Sequence, residues 1–408
     1  MKKVLVTGSC GFVGKNLLFF LNNIIGDDVE IFEFDVNKFD NPDDKYLEDE
    51  FHEFYDEELG AIDFEAQKKS LDKKLENYCK DADFIFHLAG VNRPENVEDF
   101  VTGNVNLTGQ ITDILIKNNL KTPLLLSSSI QALQDNPYGR SKLEAEQVVF
   151  DYSSKSGAEV YVYRLTNLFG KWSRPNYNSV IATFCHNMTH GEDITVNDPE
   201  IEITLAYIDD VAKEFINAFK GNSLRDGKFC KVEKSYTVKL GKIVELLEQF
   251  VESRESLVTP DLADEFTKKL HATFLSYLPP QLFTYPLKMN VDNRGSFTEF
   301  IKSSSSGQVS INVSKPGITK GEHYHHTKNE KFMVVSGQGE IRLRSIDSNR
   351  IIIYTVKGEE LKVVDIPPGY THNITNTGKT DMVTVMWVNE IYDPENPDTF
   401  FLKVDSDE

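Results

Sequence analysis

An apolar run that breaks on three glycines, spaced three apart, constrains this chain more than any other feature. The chain opens Val4-Leu-Val-Thr-Gly8-Ser-Cys-Gly11-Phe12-Val13-Gly14. A short buried strand must turn sharply there and enter a helix. The turn needs residues without a Cβ, so that backbone amides and the helix N-terminus can approach a pyrophosphate. From Lys15 to Ile25, Leu17, Leu18, Phe20, Leu21 and Ile24 are spaced for one buried helical stripe. Strand signals at 29–34, 83–90, 123–129 and 159–164 alternate with helical patterns at 67–78, 107–119 and from about 141. That alternation predicts an α/β domain with a doubly wound parallel sheet over about residues 1–280.

The pattern changes after about residue 285. Apolar segments at 309–313, 332–335, 340–344, 351–354, 361–366 and 382–388 are short and separated by turn signals such as Ser336-Gly, Lys357-Gly, Pro368-Gly and Thr377-Gly. They predict an all-β domain, a sandwich or small barrel, over 286–408. A chain of 408 residues is long enough for two such cores.

Composition sets the outer limits. A net charge of −20 argues against nucleic acid and against anionic membrane surfaces as partners. No apolar run approaches the roughly 18–20 residues that span a bilayer. Met1-Lys-Lys-Val-Leu-Val begins like a signal peptide, but its apolar stretch breaks at Gly8 and reads as a first strand. Cys10, Cys79, Cys185 and Cys230 show no C-x-x-C spacing, which fits a reducing cytoplasm. Much of the acidic charge lies between Asp40 and Glu65 and reads as a solvated surface insertion.

Further residues sharpen the first domain's chemistry. Asp35 closes the second strand, where an acidic side chain meets a cofactor ribose. His87-Leu88-Ala89-Gly90 ends a later strand at the point where that ribose would pass. Ser129 ends another. Tyr138-Gly-Arg-Ser-Lys142 then sets a phenol and an ammonium four apart on one helical face. The ammonium and the charge of a bound nicotinamide are expected to lower the phenol pKa from about 10, so that Tyr138 exchanges a proton with a carbonyl or alcohol oxygen while hydride moves at the adjacent carbon. Ser129 would bond the same oxygen, and Lys142 would also hold the ribose.

In the second domain, Gly321-Glu-His323-Tyr-His325 and Glu330 are followed at a distance by Pro367-Pro-Gly369-Tyr-Thr-His372. His323 and His325, two apart, share one face of a strand. Three neutral imidazoles and a carboxylate suit zinc or another divalent metal. A metal beside a 4-keto sugar would make the neighbouring C–H acidic and permit epimerisation. Tyr324, His326 and Tyr370 are the candidate bases.

With the glycine loop, HLAG, Ser129 and Tyr138/Lys142 in this order, residues 1–220 resemble the extended short-chain dehydrogenase/reductase family, in its nucleotide-sugar branch. Arg164-Leu-Thr-Asn167-Leu-Phe-Gly170 and Tyr207-Ile-Asp-Asp-Val-Ala212 match further segments of it. The resemblance implies a Rossmann fold, with cofactor contacts at Gly8, Gly11, Phe12, Val13, Gly14, Asp35, Leu88, Ala89, Gly90 and Lys142, and substrate contacts at Asn167 and Asn178. Sugar-nucleotide dehydratases of the family carry an Asp-Glu pair just after the catalytic hydroxyl. Ile130-Gln131 stands there instead, so dehydration is not expected.

Residues 290–395 resemble the cupin family, a jelly-roll barrel. Over nearly its whole length the chain is similar to bifunctional epimerase/reductases of capsular polysaccharide synthesis. That likeness implies UDP-N-acetyl-L-fucosamine precursor synthesis in a homodimer. The cupin domain would epimerise C3 of UDP-2-acetamido-2,6-dideoxy-β-L-arabino-4-hexulose. The reductase domain would then reduce C4 with NADPH to the 6-deoxy-L-talo sugar. Asp35 departs from NADPH use, because a carboxylate there pairs with a free 2′-hydroxyl and so allows NADH; Lys38 could compensate. A UDP-sugar 4-epimerase, or a 4-ketoreductase whose cupin serves only dimerisation, would carry the same motifs, as would a redox-sensing binding protein without turnover.

Overall fold

The computed structural model describes residues 1–35, 55–56, 61–62, 64–94 and 96–405. Lys38 and most of the acidic insertion lie outside them. The chain divides into two compact units, Met1–Glu245 with Lys269–Leu278, and Leu246–Lys268 with Pro279–Glu408. Among the described residues no helix is long and apolar enough to cross a membrane.

The first unit is built on five parallel strands: β1 (Lys2–Thr7), β2 (Val29–Phe34), β3 (Phe84–His87), β4 (Leu124–Ser129) and β5 (Val160–Leu165). Their order is β2-β1-β3-β4-β5, extended beyond β5 by the short strands Phe229–Cys230 and Arg225–Asp226. Near-continuous apolar strands mark a sheet covered on both faces. Side chains alternate across it. Val4, Val6, Phe84, Phe86 and Leu125 pack on one face with Leu17 and Phe215, whereas Leu5, Ile85, Leu124 and Leu126 pack on the other with Ile111, Leu115, Val149 and Tyr152. The covering helices are α1 (Phe12–Phe20), α2 (Phe64–Asp81), α3 (Leu107–Lys117), α4 (Pro137–Ser156) and, after a further helix α5 (Val180–His190), α6 (Ile208–Phe219). The first helix stops short of the expected Ile25, because its last turn relaxes into a π turn over Leu21–Ile25. Strand order reverses at β1, which lies between β2 and β3, and a crevice at such a point is where α/β sheets bind ligands.

Every strand pair of the all-β part of the second unit is antiparallel. Its strands are β6 (Met289–Asp292), β7 (Gly295–Ser303), β8 (Gly307–Ser314), β9 (Thr319–Tyr324), β10 (Glu330–Ser336), β11 (Gln338–Ser345), β12 (Ile351–Lys357), β13 (Val363–Ile366), β14 (Tyr370–Asn376), β15 (Met382–Val388) and β16 (Phe400–Phe401). They form two sheets, β6-β7-β8-β15-β10-β13 and β12-β11-β14-β9-β16. Phe332, Val334, Val364 and Ile366 of one sheet and Ile341, Leu343, Val356 and Ile374 of the other share one buried cluster. The α/β domain followed by an antiparallel all-β domain is the architecture that the periodicities predict.

Candidate functional site

The glycines bring the C-terminal ends of β1 and β3 into contact. Gly8 takes a φ of +73°, and a Cβ there would lie 2.7 Å from the Ala89 backbone nitrogen. A Cβ on Gly14 would lie 2.1 Å from the Gly8 carbonyl oxygen. Gly11 stands at the N-cap of α1, and no side chain caps the helix. The N-terminus at Phe12, Val13 and Gly14 is therefore built like an anion cradle. Asp35 reaches back to this loop, its Oδ2 accepting the Cys10 N–H at 2.9 Å. Of the HLAG segment, His87 is wholly buried. Its two ring nitrogens bond the hydroxyls of Thr7 at 2.7 Å and Thr108 at 2.8 Å, and burial lowers its pKa to about 3. It braces the strands, while Leu88–Gly90 line up beyond it.

Gly90 connects this cradle to the Tyr/Lys pair. A Cβ there would stand 2.8 Å from Lys142 Nζ and 2.7 Å from Asn104 Oδ1. The Lys142 ammonium is buried and donates to the Ser127 carbonyl at 3.2 Å. Burial pulls its pKa down to about 8, against the raising influence of Glu146. The ammonium lies 5.8 Å from the centre of the Tyr138 ring. Ser129 hydrogen-bonds the phenol, so Ser129, Tyr138 and Lys142 converge. The protein's own groups do not lower the phenol pKa. Burial raises it, Tyr177 adds to that, and the Ser129 bond only partly offsets them. Asn167 donates to the Thr204 carbonyl at 3.2 Å, and Asn178 is exposed in the turn before α5. Among the described residues no hydrogen bond links either to the Ser129–Tyr138–Lys142 group.

Sequence reasoning missed what stands behind Lys142. Glu146, one helical turn on, is buried and accepts from Ser128 Oγ at 2.5 Å. The Arg164 fork grips the same carboxylate, Nε at 2.9 Å and Nη2 at 2.6 Å. This network braces the end of β4 next to Ser129. The i, i+4 spacing of Lys142 and Glu146 was the available signal.

The second unit gathers His323 of β9, His325 just beyond it, Glu330 at the start of β10 and His372 of β14. One ligand atom from each lies within 4.8 Å of all the others. A β-bulge sets this up. His323 pairs with His372 and Gly321 with Asn373, leaving Glu322 unpaired between them at a φ of +66°. Glu322 is tied down by Asn373 Nδ2 at 2.8 Å and the Val404 N–H at 2.7 Å. His325 Nδ1 donates to the Asp398 carbonyl, which turns the bare Nε2 inward. The Asp398 carboxylate in turn accepts the backbone N–H groups of His326, Thr327 and Lys328 at 3.0, 2.9 and 2.9 Å, and so holds the loop joining His325 to Glu330.

The donor chemistry suits a cation. His325 Nε2 and His372 Nε2 stand 3.5 and 3.0 Å from Glu330 Oε2, yet none of the three atoms has a hydrogen-bond partner of good geometry. Burial alone would raise the Glu330 pKa, but the two facing imidazoles bring it down to about 2. Burial, with His372 alongside, takes His323 down to about 4. His323 is thus neutral at neutral pH, whereas, against burial, the Glu330 carboxylate and the Asp398 carbonyl raise the pKa of His325. It opens on a cavity of about 580 Å³, whose wall includes His323, His372, Asp292, Arg294, Asn312 and Lys320. None of the candidate bases lines it. Tyr324 alternates to the opposite face of β9, where it and His326 pack on Phe400 with ring centres at 5.4 and 4.8 Å, and Tyr370 packs against the apolar core.

Comparison with known proteins agrees with this division. Residues 4–225 match the NAD dependent epimerase/dehydratase family, and residues 290–400 match the polysaccharide biosynthesis C-terminal domain. UDP-2-acetamido-2,6-beta-L-arabino-hexul-4-ose reductase from Pseudomonas aeruginosa is 40% identical over 98% of this chain and 99% of its own. The crystal structure of capsular polysaccharide assembling protein CapF from Staphylococcus aureus is similar with a TM-score of 0.84 and 49% identity, over 98% of this chain and 100% of that one. UDP-N-acetylglucosamine 4-epimerase from Methanobrevibacter ruminantium shares the fold alone, at 23% identity and a TM-score of 0.50 over 68% of this chain and 98% of its own.

Proposed function

The chain belongs to the NAD dependent epimerase/dehydratase family, and from that premise we propose that it is a bifunctional UDP-sugar enzyme of surface-polysaccharide precursor synthesis. Its all-β domain, a cupin, inverts C3 of UDP-2-acetamido-2,6-dideoxy-β-L-arabino-4-hexulose. Its α/β domain then reduces C4 to the 6-deoxy-L-talo sugar. The full-length similarity to a ketosugar reductase names the substrate class. The observation that carries the double activity is the pair of separate sites, a Ser129–Tyr138–Lys142 group in one unit and a four-donor cluster on a cavity in the other.

A nicotinamide in the first site supplies hydride when bound, and a divalent ion in the second supplies Lewis acidity. The residues do the rest. Gly8, Gly11 and the α1 N-terminus receive the pyrophosphate, and Asp35 and Lys142 the riboses. Ser129 orients the C4 oxygen and Tyr138 donates its proton there. The ammonium of Lys142 favours the phenolate that remains. His323, His325, Glu330 and His372 would hold zinc, with the Asp398 carbonyl fixing the tautomer of His325. Epimerisation comes first, because the C3 proton is acidic only while C4 is a ketone. We further propose a homodimer working in the cytoplasm with no nucleic-acid or membrane partner.

The test is incubation of full-length protein with the ketosugar and NADPH or NADH, followed by NMR of the product and elemental analysis of the protein. Stoichiometric nicotinamide oxidation with a C3-inverted, C4-reduced product is expected, with about one zinc per chain. Reduction without inversion would leave a 4-ketoreductase with a structural cupin. Turnover with no net nicotinamide consumption would instead make it a 4-epimerase.

A further inference from the structure

We infer that Lys320 is the proton-transferring residue of the all-β domain's cavity, the group that takes the sugar's C3 proton; the inference rests on the epimerisation proposed above. The cavity wall leaves few alternatives. Outside the four-donor cluster its charged side chains are Asp292, Arg294 and Lys320. Arg294 does not give up its proton. Asp292 is occupied by it, accepting the Arg294 N–H at 2.8 Å and the side-chain Nε and Nη2 at 2.9 and 2.7 Å. Those bonds hold its carboxyl below the usual range and make it a poor base.

The bulge in β9 places Lys320. Lys320 pairs with Ile374, and His323 pairs with His372. Ile374 and His372 are two apart on β14 and so share a face. The extra residue at Gly321-Glu322 therefore turns Lys320 and His323 to the same side although they are three apart in sequence. Both line the cavity. In a regular strand, one of the two would face away. A carbonyl oxygen directed at the cluster would leave its neighbouring carbon within the same cavity as the amine.

The immediate setting of Lys320 favours an amine. Its Nζ donates to Asn312 Oδ1 at 2.7 Å and to the Val313 carbonyl at 2.9 Å, while the Ser296 carbonyl is at the 3.5 Å limit. All three are neutral oxygens, and among the described residues no carboxylate forms an ion pair with it. Two well-made N–H bonds position an NH₂ group and leave a lone pair. Burial lowers the pKa of Lys320, Arg294 lowers it further, and Asp292 works against them. A lysine so placed readily becomes a general base.

The step balances without an oxidant or reductant. The neutral amine takes the C3 proton. The C–H electron pair becomes a C3–C4 double bond, and the carbonyl pair moves onto the C4 oxygen. A water molecule returns a proton on the opposite face, and the Lys320 ammonium releases its own to solvent.

The experiment uses full-length Lys320→Met and Lys320→Arg variants, the ketosugar in deuterated water without nicotinamide, and NMR at C3. Both variants are expected to lose about 10²–10⁴-fold in deuterium exchange, with zinc content and, in a separate titration, nicotinamide binding unchanged. In the wild type, exchange should rise with pH as Lys320 deprotonates, with Asp292, Arg294, His323 and His372 the charged or titratable groups facing it. The ¹³Cε resonance lost in Lys320→Met should titrate below those of exposed lysines. Wild-type exchange in Lys320→Met would overturn the assignment. So would full exchange in Lys320→Arg, since that makes the role one of charge. Absence of exchange in zinc-loaded wild type would overturn the epimerase reading along with it.

Discussion

Replacing Asp398 with Ala isolates how the C-terminal segment supports the metal cluster. The substitution leaves the backbone carbonyl that receives His325 Nδ1–H, and removes only the carboxylate that accepts three loop N–H groups and the Thr327 hydroxyl. Hydrogen bonds to a charged acceptor are worth about 1.5–3 kcal/mol each when dry. His326 and Thr327 are exposed although Lys328 is buried, so water can replace much of the carboxylate, and solvent screening cuts the sum to about 2 kcal/mol, comparable to losing a good helix cap. If all of it opposes ordering of the loop between His325 and Glu330, zinc affinity falls about 30-fold, within the 10–100-fold typical of groups that orient metal ligands. Chelator competition on the full-length protein measures this, with NADPH affinity as the internal control. The pH dependence follows in sign. Although slight burial works the other way, the N–H bonds hold the Asp398 carboxyl well below its ordinary value. Its stabilisation is therefore complete above the unfolded pKa of about 3.9 and is lost as pH falls through the lower folded value. Wild type and variant should converge in acid. Equal zinc affinity at pH 7 would refute the argument and leave the loop held by its other contacts.

Tyr138→Phe should reduce C4 reduction by about 10²–10⁴-fold while cofactor binding and C3 exchange persist, read by single-turnover kinetics and NMR. Gly14→Ala drives a Cβ into the Gly8 carbonyl, so the glycine loop must shift at a cost of about 1–3 kcal/mol; nicotinamide binding should weaken in a fluorescence titration without change in zinc content. Glu146→Gln leaves the part-buried Arg164 guanidinium without its carboxylate; breaking a buried pair costs about 3–5 kcal/mol, and the partial exposure of Arg164 places this one near the lower end, readable by thermal unfolding. NADPH should give the higher kcat/KM, and Asp35→Ala should widen the gap by removing the carboxylate beside the 2′-position; a ratio favouring NADH would show that Asp35 governs the choice.

Much of this protein is local and hence legible in its amino-acid order. A strand's period of two and a helix's of three to four are written in adjacent residues, so the α/β half and the all-β half could be separated before any coordinate was known. The three glycines from Gly8 to Gly14, the four-residue step from Tyr138 to Lys142 and the two-residue step from His323 to His325 are local too, and the residues meet as those spacings require. What the tertiary structure decided depends on distant residues and on burial. Tyr324, His326 and Tyr370 stand beside the cluster in sequence but do not line its cavity: alternation turns Tyr324 to the other face of β9, His326 lies beyond the strand against Phe400, and Tyr370 packs on the apolar core. Lys320 faces in only because a bulge shifts the count by one. Asp398 reaches the loop between His325 and Glu330 from about seventy residues away, and Glu146 on helix α4 is gripped by an arginine from strand β5. The Tyr138 phenol rises in pKa where the nearby ammonium alone would lower it, since desolvation is set by everything packed around a group and no pattern of spacing records it.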